Sequence, residues 1–410
     1  MPGVSSGSLA ANSRQARTLS RTRRLVGPLF GLIAIAASAL AGCGAASSPR
    51  TGPKPAVIRT SLATSVETSA GSWAVVPMGH LDQPLNTFWQ LFFKPAGARL
   101  FSDRASALAV ATNGGLAIAS NGKSLAIGIR PTNLLGYSPL IVTSNARSWS
   151  PGGPIGPLAD QPDALSLSPT GNSLALVRAG RGSEVVVSPG VLGSWRTLVT
   201  TSQLAASRAG RLCGINSLTA VGYLGRDPLV GAGCSRSGVV GIFRSYQGSW
   251  RLVGPELASS FAALSAEVLG LQQTTVGVCA LVRLEGRRTT ELEEACAVGG
   301  QQWRVSPSIP VKGPDNVVSF GPADASGVFA LISRSAAGER LEVLDTADMK
   351  WTELPSPPAG TSTVVFGPTG ALDALVAGVT TCSDWRLAHG ATRWKRTQVI
   401  QVAIQFGSSG

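Results

Sequence analysis

Six tryptophans recur at nearly regular intervals from residue 149 onward, and this period limits the possible folds more than any other feature. Each follows an apolar run and a short polar turn, as in "LIVTSNARSW" and "GIFRSYQGSW". They are Trp149, Trp195, Trp250, Trp303, Trp351 and Trp394, separated by 46, 55, 53, 48 and 43 residues. A repeat of this length built from short apolar runs is typical of β-propeller blades.

Hairpin patterns between the tryptophans favour the same fold. Two apolar runs flank a turn that contains proline in residues 165–177, 318–332 and 364–376. Residues 118–127 repeat the pattern, with Asn121-Gly122 predicted to supply the positive-φ residues of a tight turn. No long segment has a period of 3.6, which argues against an α/β fold or a helical solenoid. Each unit is therefore predicted to contain about four strands.

The number of blades depends on how the two ends of the chain are used. Six units can be identified from about Gly114 to Gln398. Residues 73–103 contain further strands, which we predict to pair with the C-terminal run "TQVIQVAIQF" in one composite blade. Such a blade would leave no bare edge strand. The sequence thus predicts an all-β, seven-bladed propeller, with six blades and an N-terminal elaboration as the alternative.

The N-terminus has the three parts of a secretory signal. Five arginines without an acidic residue come first, and a 16-residue apolar run broken by Pro28 follows, shorter than a membrane-spanning helix. Leu40-Ala41-Gly42 then precede Cys43, and together they resemble the bacterial lipobox. The resemblance implies a lipoprotein whose signal is removed, whose Cys43 carries the lipid, and which is anchored at the outer face of the cytoplasmic membrane. An uncleaved membrane helix with an incidental cysteine is the alternative.

Composition separates the lipid-bearing segment from the folded part. From Gly44 to about Ala70 the chain is rich in Ser, Thr, Ala and Pro, and it has too few periodic apolar residues to offset its ordering entropy. We therefore predict three regions. They are a signal peptide at 1–42, a lipidated flexible linker at 43–70 and a β-propeller domain at 71–410.

The excess of basic over acidic residues indicates which kinds of partner the protein can bind. Five of the 35 basic residues and none of the 22 acidic ones lie in 1–42, which leaves 30 basic residues and a net charge of +8 after the signal is removed. A mild excess suits contact with polyanionic wall polymers or anionic headgroups. The arginines are scattered, unlike the dense basic stripe of a nucleic-acid-binding protein. We expect no nucleic-acid partner and a monomer. The abundance of Ala, Gly and Arg is typical of a high-GC, actinobacterial source.

The turns before the tryptophans resemble degenerate copies of the Asp-box, the Ser-x-Asp-x-Gly-x-Thr-Trp hairpin of BNR-repeat and sialidase-like propellers. Trp195 follows Ser194, but Gly190 stands at the aspartate position. Trp149 follows Ser148, with Ser144 at the aspartate position. The resemblance implies a sialidase-like propeller architecture. An Asp-box ties a hairpin and does not by itself imply catalysis.

Residues for a sialidase reaction are scarce. The resemblance would require an arginine triad, a Tyr/Glu nucleophile pair and an Asp acid/base, and Arg130-Pro131 is the nearest approach to the arginine motif. The chain has three tyrosines and two histidines, which are Tyr137, Tyr223, Tyr246, His80 and His389.

Paired carboxylates could still serve glycoside hydrolysis, with Glu285 and Asp373 among the acidic residues available. Glu291, Glu293 and Glu294 are instead predicted to lie on the outward face of a strand. We predict no catalytic, cofactor-binding or metal-binding residue and no cofactor.

The remaining cysteines fit an oxidising compartment. Cys279 and Cys296 flank the turn "LEGRRT" symmetrically, which places them opposite each other in a hairpin and predicts a disulfide. Zinc is the rival interpretation, and the lack of a nearby histidine argues against it. We pair Cys213 with Cys234 and expect Cys382 to be free.

Two classes of function remain. The first is a binding or scaffold module on the cell surface, whose ligand is a protein, a glycan or a wall polymer. The second is a divergent sialidase-like glycoside hydrolase. Arginines, a tyrosine and a carboxylate around a common opening would favour the second.

Overall fold

The computed structural model describes residues 64–402 apart from fourteen short gaps. The gaps are 81–86, 103–108, 111–115, 130–139, 152–161, 180–181, 192, 257–264, 274–276, 300–301, 312–316, 323–327, 336–337 and 368–369. The chain divides into two compact units, Met1–Lys54 and Pro55–Gly410, and every described residue belongs to the second. The predicted signal, Cys43 and most of the predicted linker lie outside the described residues.

The described residues are almost entirely antiparallel β-sheet, arranged as consecutive up-and-down meanders. The first meander contains β1 (Ser65–Thr68), β2 (Gly71–Gly79), β3 (Thr87–Pro95) and β4 (Ala109–Val110). The second contains β5 (Leu116–Ser120), β6 (Leu125–Ile129), β7 (Leu140–Thr143) and β8 (Ser150–Pro151). The third contains β9 (Ala164–Leu167), β10 (Ser173–Ala179), β11 (Gly182–Ser188) and β12 (Arg196–Thr200).

The fourth and fifth meanders are joined in one nine-stranded sheet, in which β14 also pairs with β17. The fourth contains β13 (Ile215–Leu224), β14 (Asp227–Cys234), β15 (Gly241–Tyr246) and β16 (Ser249–Leu252). The fifth contains β17 (Ser265–Gln273), β18 (Gly277–Glu285), β19 (Thr290–Val298) and two short strands that both pair with β19, β20 (Trp303–Val305) and β21 (Ile309–Val311).

Two four-stranded sheets complete the described fold. The sixth meander contains β22 (Val317–Pro322), β23 (Val328–Ser335), β24 (Gly338–Asp345) and β25 (Lys350–Leu354). The seventh contains β26 (Thr361–Phe366), β27 (Leu372–Ala377), β28 (Thr381–Leu387) and β29 (Lys395–Gln401).

Apolar clusters join each meander to the next. Six of them connect successive meanders, from the first and second to the sixth and seventh. A seventh cluster joins the last meander to the first, where Phe88 and Phe92 pack with Leu375 and Ile400. Most meanders are therefore covered on both faces. This arrangement explains why so many strands are apolar at consecutive positions rather than alternating.

The tryptophans that set the sequence period pack at the junctions between successive meanders. Each lies in or directly before the fourth strand of its meander and packs against the cluster shared with the preceding meander. Trp351 Nε1 donates to the carbonyl oxygen of Pro307 at 3.1 Å, and Trp394 Nε1 donates to that of Pro355 at 3.1 Å. Trp303 Nε1 donates likewise to Val253. Each acceptor follows the preceding tryptophan by three or four residues, so each bond ties adjacent meanders.

The longest tryptophan interval accommodates two helices that the sequence did not predict. These helices, α1 (Thr201–Ala206) and α2 (Arg208–Cys213), connect β12 to β13. Thr200 and Gln203 form a capping box at α1, and Gly214 ends α2 with a φ of 66°. Within the described residues, no helix is long and apolar enough to cross a membrane.

The predicted composite blade is wrong. The C-terminal strand β29 pairs with its own neighbour β28, and the N-terminal strands form their own sheet. The two ends meet instead through side chains. Gln398 forms two hydrogen bonds of 3.1 Å with the backbone of Phe101, one to the N–H and one to the carbonyl. Sequence alone could not distinguish strand pairing from face-to-face packing, because both bury the same apolar residues.

Part of the predicted linker is folded into the first meander. Residues 64–70, assigned above to the linker, contain β1 and the turn to β2, and most of their side chains are buried. Thr64 Oγ1 lies 2.7 Å from Ser319 Oγ of β22 and 2.7 Å from Thr363 Oγ1 of β26. The short hydroxyl side chains look linker-like in sequence, yet here they satisfy one another between three meanders.

The turns are tied mainly by polar side chains. Asn145 Oδ1 accepts from the backbone N–H groups of Arg147 and Ser148 at 2.9 Å each, one residue after the aspartate position of the Asp-box. Asn121 acts similarly toward Lys123 and Ser124. Only Gly122 of the predicted Asn121-Gly122 pair has a positive φ, at 81°. The family resemblance itself stays a prediction.

Candidate functional site

The structure forms both predicted disulfides. Cys279 and Cys296 are directly opposite each other on β18 and β19. Cys213, the last residue of α2, is bonded to Cys234 at the end of β14. Cys382 is a buried free thiol, and burial, followed by the charge of Asp384, raises its pKa to about 12. A thiol held so firmly protonated is a poor nucleophile.

A small polar cleft lies beside the Cys213–Cys234 bond, where β14 pairs with β17. Its volume is about 170 Å³. It is lined by Asn216, Ser217, Gly233, Cys234, Ser265, Ala266, Glu267 and Glu285. These residues begin β13 and β17 or end β14 and β18, so the cleft opens at one end of two adjacent meanders.

Two glycines are required by the packing around this cleft. A Cβ at Gly233 would lie 2.3 Å from Asn216 Oδ1, so a side chain there would displace a residue that lines the cleft. A Cβ at Gly241 would lie 2.7 Å from Cys234 Sγ, so the disulfide needs the bare backbone beside it. The cleft wall and the disulfide therefore depend on close backbone approach at both positions.

Charge in the cleft is organised by one arginine. Arg283 on β18 forms an ion pair with Glu267, and its Nε lies 3.2 Å from Glu285 Oε1. Arg283 and Glu267 are largely buried, whereas the Glu285 side chain is 47% exposed. The cleft offers carboxylate, amide and hydroxyl groups to a ligand, which suits hydroxyl or ammonium groups better than anions.

The prediction for the glutamates of β19 is wrong. Glu293 and Glu294 are 4% and 0% exposed rather than on an outward face. Burial, followed by the charge of Glu291, raises the pKa of Glu293 to about 7. Burial raises the pKa of Glu294 well above its usual range, and its Oε2 has no hydrogen-bond partner. Both faces of this sheet are covered by neighbouring meanders, so strand alternation does not identify an exposed face.

A third group of charges lies between the first and seventh meanders. Asp373 on β27, fully buried, pairs with Lys94 of β3 and accepts from Arg386 Nε at 2.7 Å. Asp384 lies on β28, where Thr397 Oγ1 donates to it at 2.7 Å. Burial, followed by the charge of Asp373, raises the pKa of Asp384 to about 6. These groups are enclosed, which indicates a structural rather than a substrate-facing role.

The described residues do not assemble a sialidase-type site. Arg130 and Tyr137 lie outside the described residues. Tyr223 is 1% exposed in an apolar cluster, its hydroxyl lacks a hydrogen-bond partner, and burial raises its pKa. Tyr246 is 38% exposed, with the guanidinium carbons of Arg244 and Arg251 at 5.8 and 5.1 Å from its ring. Arg244 also donates from Nε to Asp227 Oδ2 at 2.8 Å, so the carboxylate near Tyr246 is already paired with an arginine.

Sequence reasoning missed the cleft and the buried glutamate for different reasons. The cleft residues are common types that lie between positions 216 and 285, and only tertiary structure brings them together. Glu294 had a usable signal, because it lies two residues before Cys296. Residues i and i+2 share a face of a strand, so both side chains had to point the same way.

Comparison with known proteins gives structural likeness only. No family model matches the chain, and no curated protein is detectably similar in sequence. A candidate 6-phosphogluconolactonase from Bacteroides uniformis is 9% identical with a TM-score of 0.48, and the match covers 80% of this chain and 96% of that one. A protein from Lactobacillus plantarum is 10% identical with a TM-score of 0.43, over 80% and 96% of the two chains.

A third similar structure is YCF48 bound to a D1 peptide. It is 12% identical with a TM-score of 0.38, over 76% of this chain and 91% of that one. Likenesses of this size assign neither an activity nor a ligand to this chain. The functional conclusion must come from the residues themselves.

Proposed function

We propose that the seven meanders are seven blades of one β-propeller, and that this propeller is a binding or scaffold module. The supporting observation is the polar cleft between the fourth and fifth meanders, which is open and lined by groups that bind without reacting. The carboxyl groups with raised pKa values among the described residues lie instead in buried positions. A catalytic acid or base would need to meet its substrate.

The ligand class follows from the lining of the cleft. Glu267 and Glu285 with Arg283 leave one net negative charge, and Asn216 and Ser217 add neutral hydrogen-bonding groups. A hydroxyl-rich glycan or a protein segment with an ammonium group fits this lining. A polyanionic wall polymer would meet repulsion here, although the basic surface elsewhere could still attract it.

The glycoside hydrolase alternative has no comparable support. Glu267 and Glu285, the two carboxylates of the cleft, are both paired with Arg283. Glycoside hydrolysis needs one protonated and one ionised carboxyl group, and a shared arginine favours the ionised form of both. Arg244, Arg251, Tyr246 and Asp227 do lie together on the fourth meander, but none of them lines the cleft.

The binding proposal can be tested by filling the cleft. Ser217→Trp would occupy it, whereas Thr352→Trp adds the same side chain at an exposed position on β25. We expect the wild-type protein to bind a subset of a glycan and cationic-peptide array, and Ser217→Trp alone to lose that binding by tenfold or more, as about 1.4 kcal/mol would give. Equal binding by both variants, or no binding by the wild type, would contradict the proposal.

We also propose that lipid on Cys43 holds this module at the outer face of the cytoplasmic membrane. The lipobox-like residues 40–43 and the two disulfides of the folded part support an exported protein. We expect incorporation of a palmitate analogue and partition into detergent, both abolished by Cys43→Ala. Labelling that persists in this variant would argue against the anchor.

A further inference from the structure

Three potential metal ligands meet in the apolar core between the fifth and sixth meanders. Cys279 Sγ, Cys296 Sγ and a carboxylate oxygen of Glu294 all lie within 4.8 Å of one another, and all three residues are buried. Glu294 Oε1 is 3.8 Å from Cys296 Sγ. Among the described residues this is the one such group.

The carboxyl group of Glu294 has no structural explanation in the disulfide-bonded state. Its side chain is 0% exposed, and Oε2 lacks a hydrogen-bond partner. The surrounding cluster is apolar and includes Leu281, Leu292 and Phe320. Burying a polar group without a hydrogen-bond partner is unfavourable in hydrophobic surroundings. A ligand for this oxygen would remove that cost.

We propose that Cys279, Cys296 and Glu294 form a site for a thiophilic divalent cation such as Zn²⁺, which the disulfide closes and reduction opens. Two thiolates and a carboxylate are ligands that zinc accepts. Tetrahedral zinc with ordinary bond lengths separates a sulfur and an oxygen ligand by about 3.5 Å, close to the observed contact. The two sulfur atoms, bonded in the disulfide, would have to move apart to about 3.8 Å.

The proposed steps conserve atoms and charge. A thiol or phosphine reductant supplies the two electrons that break the S–S bond, and the sulfurs take up two protons. The cation then displaces the protons of the groups that bind it. Two thiolates and one carboxylate on a divalent cation leave a complex of net charge −1.

Ser306 lies between the two short strands that pair with β19, and its N–H donates to the carbonyl oxygen of Glu294 at 2.8 Å. On the edge of β19, residues 295–297 pair with β20 and residues 290–292 pair with β21. At Glu294, between these two ladders, the backbone N–H donates to Ser306 Oγ at 3.0 Å instead of to a strand partner. Trp351 Nε1 donates to the same hydroxyl at 2.9 Å. Ser306 therefore satisfies both backbone groups of Glu294 between β20 and β21.

The second disulfide provides an internal control. Among the described residues, Cys213 and Cys234 belong to no group of three potential metal ligands. No carboxylate is therefore placed to complete a metal site beside this second disulfide. Reduction therefore frees two thiols in each place, and only one place has a carboxyl group to complete a site. Cys382 is present in every variant and contributes equally.

The test is titration of the full chain with Co²⁺ after phosphine reduction, followed by displacement with Zn²⁺. We expect one equivalent of Co²⁺ to produce sulfur-to-metal charge-transfer absorption, and the oxidised protein to show none. The Cys213→Ser, Cys234→Ser variant should keep the signal, and the Cys279→Ser, Cys296→Ser variant should lose it. Glu294→Gln should weaken binding by about tenfold or more.

Near-UV circular dichroism of the reduced protein separates a folded site from thiols on an unfolded chain. Retained near-UV signal with the pattern above supports the proposal. A reduced chain that unfolds, that binds no metal, or that binds Co²⁺ equally well with Glu294→Gln would overturn it. Failure here would leave the binding function of the cleft untouched, because the two sites share no residue.

Discussion

The junctions between later meanders and the junction between the last and first meanders are held by different interactions. In the fifth, sixth and seventh meanders, Trp303, Trp351 and Trp394 each donate a hydrogen bond to a carbonyl of the preceding meander. Between the seventh and the first, Asp373 pairs with Lys94 and Arg386, and Gln398 bonds to the backbone of Phe101. A junction between successive meanders can use the same tryptophan-to-carbonyl hydrogen bond each time, because its partners are only 39 to 50 residues apart in sequence. The closing junction, which joins the seventh meander to the first, needs partners about 280 residues apart in sequence. It is held by the buried ion pairs of Asp373.

Removal of the C-terminal strand should give the largest effect. Deleting residues 395–410 takes away β29, uncovers the apolar cluster with Phe88 and removes Gln398. We expect loss of the cooperative unfolding transition in urea, followed by tryptophan fluorescence. Gln398→Ala, which removes only the two bonds to Phe101, should keep a cooperative transition. A truncated chain that still unfolds cooperatively would show that the closing junction is dispensable.

Asp373→Ala should have the next largest effect. It leaves Lys94 buried without its carboxylate, and breaking a buried pair from one side costs about 3–5 kcal/mol. Urea denaturation measures the change in the free energy of unfolding. Arg178→Ala is the matched control, because its pair with Asp163 is exposed on both sides and should be worth about 0–1 kcal/mol. A similar decrease in the free energy of unfolding in both variants would show that the ion pairs of the closing junction are no more important than an exposed pair.

Asp384→Asn should make the closing junction less sensitive to pH. Burial and Asp373 raise the pKa of Asp384 to about 6, so between about pH 4 and 6 the folded protein keeps a proton that the unfolded chain has lost. The free energy of unfolding therefore falls as pH rises through this window, by roughly 2 kcal/mol for this group.

The charged groups that set this pKa are Asp373, Arg386 and Lys94, with Thr397 donating a hydrogen bond. The amide introduced by Asp384→Asn cannot titrate, so the variant should gain stability relative to wild type as the pH rises from about 4 to about 7. Urea midpoints of the variant and of wild type at these two pH values measure this difference. Subtracting the wild-type value at each pH cancels the contribution of the other carboxyl groups with raised pKa values. A difference that is the same at both pH values would contradict the prediction.

The smallest effect is expected at one tryptophan tie. Trp394→Phe removes the Nε1 bond to Pro355 and should cost about 1 kcal/mol more than Trp195→Phe. Trp195 is the matched control, because its Nε1 has no hydrogen-bond partner among the described residues. Thermal unfolding of both variants measures the difference. Equal losses would show that the tryptophans act through packing alone.

Sequence patterns predicted the local units well and the long-range contacts poorly. The tryptophan period and the Cys279–Cys296 hairpin follow from residues close in sequence, where strand geometry leaves few alternatives. The contacts of residues 64–70 were missed because Thr64 gains its partners from β22 and β26, more than 250 residues away. The burial of Glu293 and Glu294 was missed because it depends on which meanders cover the sheet.

Local sequence was enough to specify the repeated β-meanders, the two cysteine pairs and the positions of the tryptophans, since each depends on turns and alternation within about 50 residues. Three-dimensional packing was needed to fix how the ends meet, which carboxyl groups are buried and which of them pair with a cation. Those outcomes depend on surfaces brought together from distant parts of the chain. The i, i+2 spacing of Glu294 and Cys296 shows only that the two side chains share a strand face, and their burial depends on the meander that covers that face.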